Sequence, residues 1–127
     1  MLKNLKRSIN YLIYHIREKY IDKPLYRPGH IRLESKPSPN MFKTQGREIK
    51  LIVLHATGSN SLRSTVDWFK DPKSKVSAHY VIGKDGTVVQ MVPLDFIAWQ
   101  AGDSEWEGKH GCNGFSAGVE LVNINDG

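Results

Sequence analysis

Leu2, Leu5, Ile9, Leu12, Ile13, Ile16 and Tyr20 recur at spacings of three and four. That spacing predicts an amphipathic helix over residues 1–22, with Lys3, Lys6, Arg7 and Arg17 largely off its apolar stripe. Surface helices of this kind usually face a core, so docking on a domain is favoured over lying on a membrane. The pattern then breaks. Pro24, Pro28, Pro37 and Pro39, with Gly29 and Gly46, make residues 23–48 read as an extended linker or wrapping arm. Periodic structure returns at Ile49, and a compact domain is expected over 49–127.

Within that domain the run 49–54 is nearly continuously apolar and ends at His55, followed by Ala56-Thr57-Gly58-Ser59-Asn60. It predicts a buried central strand entering a loop. Leu62, Val66 and Phe69 then share one helical face after the cap candidates Ser59, Asn60 and Ser61, and Asp71-Pro72 should end that helix. The runs 76–82 and 87–92 predict two strands joined through Lys84-Asp85-Gly86, a turn in which glycine tolerates positive φ. A last strand is expected over 117–122. Strands interleaved with helices, plus one hairpin, give an α/β fold built on a mixed central sheet flanked by helices.

Charge is uneven along the chain. Residues 1–50 hold 12 Lys/Arg against 4 Asp/Glu, whereas residues 51–127 hold 6 against 9. A basic arm could lean on anionic polymer, headgroups or nucleic acid; charge alone does not choose, and a solvated face is the simpler reading. With 39% hydrophobic and 24% charged residues, the chain belongs with globular proteins rather than disordered or membrane ones. Cys112 is the only cysteine, which excludes an intrachain disulfide. The start is basic like a signal peptide, but its apolar stretch is short and broken by Asn10, Tyr14 and His15, so no export signal is read. No run approaches the ~20 apolar residues of a membrane span.

Candidate chemistry gathers at strand ends. His55 lies where an apolar strand meets a Gly-containing loop, and in open α/β sheets the carboxyl ends of strands form the ligand crevice. An imidazole there can bind metal through one nitrogen while the other is held by a hydrogen bond, although a structural histidine is the commoner case. Glu120 interrupts an apolar strand, so it is either on a wet face or buried with raised proton affinity, the state a general acid/base requires near neutral pH. His79 and Tyr80 must point to opposite sides of their strand. Trp99 and Trp106 could stack on a sugar or peptide, or simply pack. Lys109 and His110 could meet a carboxylate, or simply be solvated.

Three segments together resemble the type 2 N-acetylmuramoyl-L-alanine amidases, the superfamily that includes peptidoglycan recognition proteins and phage lysozyme-amidases. They are Leu51-Ile52-Val53-Leu54-His55-Ala56-Thr57-Gly58, then Val76-Ser77-Ala78-His79-Tyr80-Val81-Ile82-Gly83-Lys84-Asp85-Gly86-Thr87, and Gly111-Cys112-Asn113-Gly114-Phe115-Ser116-Ala117-Gly118-Val119-Glu120-Leu121. Gln90-Met91-Val92-Pro93 and Ala98-Trp99-Gln100-Ala101-Gly102 fit the same pattern. The resemblance covers roughly residues 38–127, with Ser38-Pro39-Asn40 at its edge.

That resemblance implies a zinc-dependent hydrolase cutting the amide between N-acetylmuramic acid and L-alanine in peptidoglycan or muramyl peptides. It makes His55 the first zinc ligand and Glu120 the catalytic glutamate; the tyrosine of another branch would fall on Ala78. Substrate contacts fall to Trp99, Asn113, Lys109 and His110. A second histidine and then an Asp or Cys, both downstream of the strand holding Glu120, are expected beyond Gly127. The internal substitutes would be His79, His110, Cys112 or Asp126. Gln100 stands where the family often has His, and Gly111 where the recycling branch has an arginine that clamps a peptide carboxylate. A cytoplasmic or phage-released protein acting on wall material is expected, with no nucleic-acid partner. A binding module of the same fold, holding muramyl peptide without cutting it, is the alternative.

Overall fold

In a computed structural model the residues described are 31–124; the helix expected over 1–22 and Asp126 lie outside them. The elements are β1 (Leu33–Ser35), β2 (Met41–Phe42), β3 (Leu51–Ala56), α1 (Leu62–Lys70), β4 (Tyr80–Ile82), β5 (Val88–Gln90), β6 (Ile97–Ala98), β7 (Glu105–Trp106), β8 (Lys109–His110), a 3₁₀ turn (Cys112–Phe115) and β9 (Ser116–Leu121). Five strands form one sheet in the order β1-β5-β4-β9-β3. Only β4 and β5 run antiparallel; β1 with β5, β4 with β9 and β9 with β3 are parallel. This is the mixed α/β sheet that the alternation of strands and helix implied.

Both faces of the sheet carry core. On one, Val81, Val89, Met91 and Val122 pack against Val66 and Phe69 of α1. On the other, Tyr80, Ile82, Val88, Ala117 and Val119 gather with Leu94. The helix forms where the Leu62, Val66, Phe69 spacing placed it. Ser61 caps its start by accepting from the Ser64 N–H at 3.2 Å, and Asp71, ahead of Pro72, closes its end.

Two expectations are corrected. Among the described residues β3 is an edge strand, not a central one: Ile52 and Leu54 are 41% and 51% exposed on the face away from α1. A continuous apolar run reports two apolar faces but not whether neighbours cover both. The first hairpin strand is also shorter than 76–82, because Ser77 leaves the ladder to exchange bonds with Trp99: its N–H donates to the Trp99 carbonyl at 2.9 Å and its Oγ accepts the Trp99 N–H at 3.0 Å.

Residues 31–48 are bound into this body. β1 adds an edge to the sheet, and Ser38 and Asn40 are buried. The Asn40 Nδ2 donates to the carbonyls of Asp71 at 2.9 Å and Val76 at 3.0 Å, while Ser38 Oγ donates to that of Phe69 at 2.5 Å. Ser38 thereby pairs the Phe69 carbonyl in the last turn of α1, and Asn40 ties the segment that follows the helix to the same motif. Ser77 Oγ in turn donates to the Asn40 carbonyl at 2.5 Å, so one short motif holds the helix end and the Trp99 segment.

Candidate active site

His55 and Glu120 are register partners on the adjacent parallel strands β3 and β9. Partners across a ladder project to the same face, and Val81, the partner of Glu120 on β4, places that face on the α1 side. Burial pushes the Glu120 carboxyl above its ordinary range, and the His55 charge beside it opposes that only in part. A carboxyl that holds its proton more tightly than usual, at the carboxyl end of a strand, suits a general acid/base. Glu120 opens onto a cleft between the loop after β3 and α1, lined also by Thr57, Ser64, Thr65 and Trp68.

Gln100 joins the two strands from above. Its Oε1 lies 2.5 Å from His55 Nε2 and its Nε2 donates to Ser116 Oγ at 2.7 Å. It can lie so close because the strand below is Gly118: a Cβ there would sit 2.6 Å from Gln100 Cγ and 2.9 Å from Cδ. The neighbouring loop is fixed by Asn113, whose Oδ1 accepts the Gln100 N–H at 3.1 Å and the Ala101 N–H at 2.8 Å. Arg47 fastens the entry to β9, donating to the carbonyls of Asn113 and Ser116.

The sequence-derived site residues thus divide. His55 and Glu120 come together. Asn113 holds the Gln100 loop with its own oxygen. Trp99 packs its ring against Phe42 at 5.2 Å, and its indole Nε1 is buried without a hydrogen-bond partner. Lys109 and His110 form the exposed strand β8. The Lys109 ammonium sits over the Phe115 ring at 5.7 Å, and His110 Nε2 lies 3.3 Å from a Glu105 carboxylate oxygen. Sequence reasoning missed Trp68, which is 57% exposed on the cleft. Its position off the Leu62, Val66, Phe69 stripe was the available signal. It also treated Gln100 only as a departure from the family and did not consider Arg47.

The family profile described as N-acetylmuramoyl-L-alanine amidase matches residues 45–127. The chain belongs to that family. The relatives agree: over 47 residues it is 53% identical to the 1,6-anhydro-N-acetylmuramyl-L-alanine amidase AmpD of Escherichia coli, a stretch covering 37% of this chain and 26% of AmpD. The E. coli N-acetylmuramoyl-L-alanine amidase AmiD is 35% identical over 86 residues, 59% of this chain and 29% of that protein. A crystal structure of AmpD superposes with a TM-score of 0.63 at 30% identity, covering 80% of this chain and 66% of that one. The catalytic domain of XlyA, at 22% identity and a TM-score of 0.57, shares the fold. The chain therefore spans about a quarter of the curated relatives' length over the stretches that match.

The amidase family is in general one of zinc enzymes, and a catalytic zinc takes about three protein ligands. Among the described residues no group of three His, Cys, Asp or Glu stands together. His79 has both ring nitrogens engaged, His110 is paired on an exposed hairpin and Cys112 is buried. The described residues thus do not by themselves complete a site for a zinc. Among them no helix is long and apolar enough to cross a membrane.

Proposed function

We propose that this chain hydrolyses the amide between N-acetylmuramic acid and L-alanine in muramyl peptides or peptidoglycan, with Glu120 as the general acid/base and His55 as one zinc ligand. The observation that carries the reading is the register pairing of His55 with Glu120, a carboxyl whose proton affinity burial raises, at the mouth of a cleft. AmiD, at 31% identity and a TM-score of 0.53, has been crystallised with anhydro-N-acetylmuramic acid-L-Ala-D-γ-Glu-L-Lys as substrate, and that compound class is the one proposed here.

In the proposed reaction, Glu120 accepts a proton from the attacking water as its oxygen bonds to the carbonyl carbon. Glu120 then returns that proton to the amine of L-alanine as the C–N bond breaks. The products are the muramic acid carboxylate and a free peptide amine. Gln100 keeps the His55 ring oriented, while the Thr57, Ser64 and Trp68 side chains line the wall that receives substrate. The exposed hairpin of Lys109 and His110 supplies the Lys109 ammonium and a ring N–H suited to carboxylates of the peptide stem, and Trp99 supports the opposite wall.

The test is incubation of a form of the chain extended through the second histidine and the Asp or Cys that the family resemblance implies, with zinc and the muramyl tripeptide, read by mass spectrometry for release of the free tripeptide. Cleavage abolished by Glu120→Gln, with binding retained, is the expected result. Binding without cleavage by that zinc-loaded, extended form would refute the hydrolase and leave the peptide-binding module.

A further inference from the structure

His79 is fully buried, and all four of its polar atoms are engaged. Its backbone N–H donates to the Gly118 carbonyl at 3.0 Å, and its carbonyl accepts the Met91 N–H at 2.8 Å. Its ring continues the pattern. Nδ1 lies 3.0 Å from the Gly118 amide nitrogen, and Nε2 lies 2.9 Å from the Phe96 carbonyl oxygen. An amide N–H can only donate and a carbonyl oxygen can only accept, so both contacts are satisfied in one state alone: a neutral ring with its proton on Nε2.

These bonds join two segments that meet again at the site. Gly118 lies two residues before Glu120 on β9 and directly beneath Gln100. Phe96 precedes β6, which leads through Trp99 to Gln100. The imidazole therefore sets the spacing between the strand carrying Glu120 and the segment carrying Gln100, whose side chain holds His55. Where β4 has not yet begun, the ring takes the place of a ladder carbonyl for the Gly118 N–H.

We propose that His79 is a positioning residue for this site: its Nε2-protonated imidazole pegs β9 to the Phe96 segment and thereby fixes Gln100 against His55 beside Glu120. The inference rests on the functional reading for its consequence in catalysis, but its geometry can be tested without any reaction.

The experiment uses the full chain labelled with ¹⁵N, with ring tautomers read from long-range ¹H–¹⁵N correlations at pH 7, in the unaltered protein, His79→Gln and His79→Phe. The expected result is an Nε2–H tautomer at His79. In His79→Phe the His55 ring resonances should move and the Gly118 amide should exchange on the order of tenfold faster, as for loss of one hydrogen bond. His79→Gln, which keeps a donor and an acceptor, should move both less. With muramyl tripeptide as substrate, His79→Phe should lower kcat by about tenfold or more while KM changes little, the pattern of misplaced groups rather than lost binding. A His79 ring protonated on Nδ1 or charged at pH 7 would overturn the proposal. So would a His55 ring that stays in place in His79→Phe. Should His79→Phe fail to fold, the tautomer in the unaltered chain and the His79→Gln spectrum decide. Absence of cleavage by the zinc-loaded, extended form counts against the hydrolase reading and leaves the ring measurement standing.

Discussion

Replacing Gly118 by alanine probes the packing over β9 with a single methyl group. The new Cβ would stand 2.6 Å from Gln100 Cγ, 2.9 Å from Cδ and 3.1 Å from Cβ. Carbon atoms at such separations repel strongly. Two of these atoms lie near the root of the Gln100 side chain, so rotating its far end does not relieve the contact. Either the Gln100 loop lifts, straining the Asn113 bonds to the Gln100 and Ala101 N–H groups, or Gln100 leaves and forfeits its bonds to His55 and Ser116. Overpacking costs typically ~1–3 kcal/mol, and each lost hydrogen bond adds about 1 kcal/mol. Gly118→Ala should therefore unfold in urea with a stability lower by roughly 2–4 kcal/mol and an unchanged m-value. The double variant Gly118→Ala/Gln100→Ala removes the clashing atoms, so it should be less impaired than the sum of the two single losses. The reasoning is refuted if Gly118→Ala lies within about 0.5 kcal/mol of the parent, the scatter of innocuous surface changes, with the His55 ring spectrum unaltered.

Other perturbations follow from the same geometry. A carboxyl raised by burial stabilises the fold below its unfolded pKa and loses that contribution as pH rises through its folded value; Glu120→Gln should therefore be more stable than the parent at neutral pH, with the difference shrinking in acid, as calorimetry would show. Burial, aided by the Arg47 charge and opposed by the Phe96 hydrogen bond, lowers His79 to about 4 from 6.5. The unfolded chain therefore binds the proton first, and stability attributable to His79 is complete above pH 6.5 and lost as pH falls toward 4, by about 3 kcal/mol. His79→Gln should flatten that limb of the stability profile. Asn40→Ala removes the amide that donates to the carbonyls of Asp71 and Val76; Asp71 keeps the Ser74 N–H and hydroxyl, so the change should cost about 1–2 kcal/mol in urea denaturation. The exposed pair Arg63 and Asp67, 3.8 Å apart, should by contrast contribute less than about 0.5 kcal/mol in a double-mutant cycle.

Local rules made much of this structure legible in advance. The Leu62, Val66, Phe69 spacing and the Ser61 and Asp71 boundaries fix α1, since a helix is decided by neighbours within four residues. Gly86, with φ at 88°, makes the β4–β5 turn for the reason its sequence suggested. His55 and Glu120 could be singled out because each is a charged or titratable interruption of an apolar run. What escaped is non-local. Nothing in the sequence around Asn40 says that its amide reaches the end of a helix some thirty residues on, and nothing around His79 says which backbone groups its ring meets. Trp99 and Asn113 carried a family expectation of substrate contact; that Trp99 also packs on Phe42 and that Asn113 also holds the Gln100 loop is a non-local arrangement their neighbours in sequence do not announce. The conformation at Gly111, with φ at 73°, adds a physical comment on the arginine of the recycling branch: at this backbone geometry a side chain is strained, which favours glycine.

The parallel pairing of β3 with β9 also governs how the molecule comes together in time. His55 and Glu120 lie far apart in the sequence, on β3 and β9, and no hairpin can bring them side by side. The loop between them has to close around α1 and the β4–β5 hairpin first, and closing long loops before any reward is what slows folding of non-local sheets. The hairpin and helix should therefore be early structures and the His55–Glu120 neighbourhood a late one. A nascent or partly folded chain would then hold these two polar residues apart, and the pair would form only when the sheet is whole.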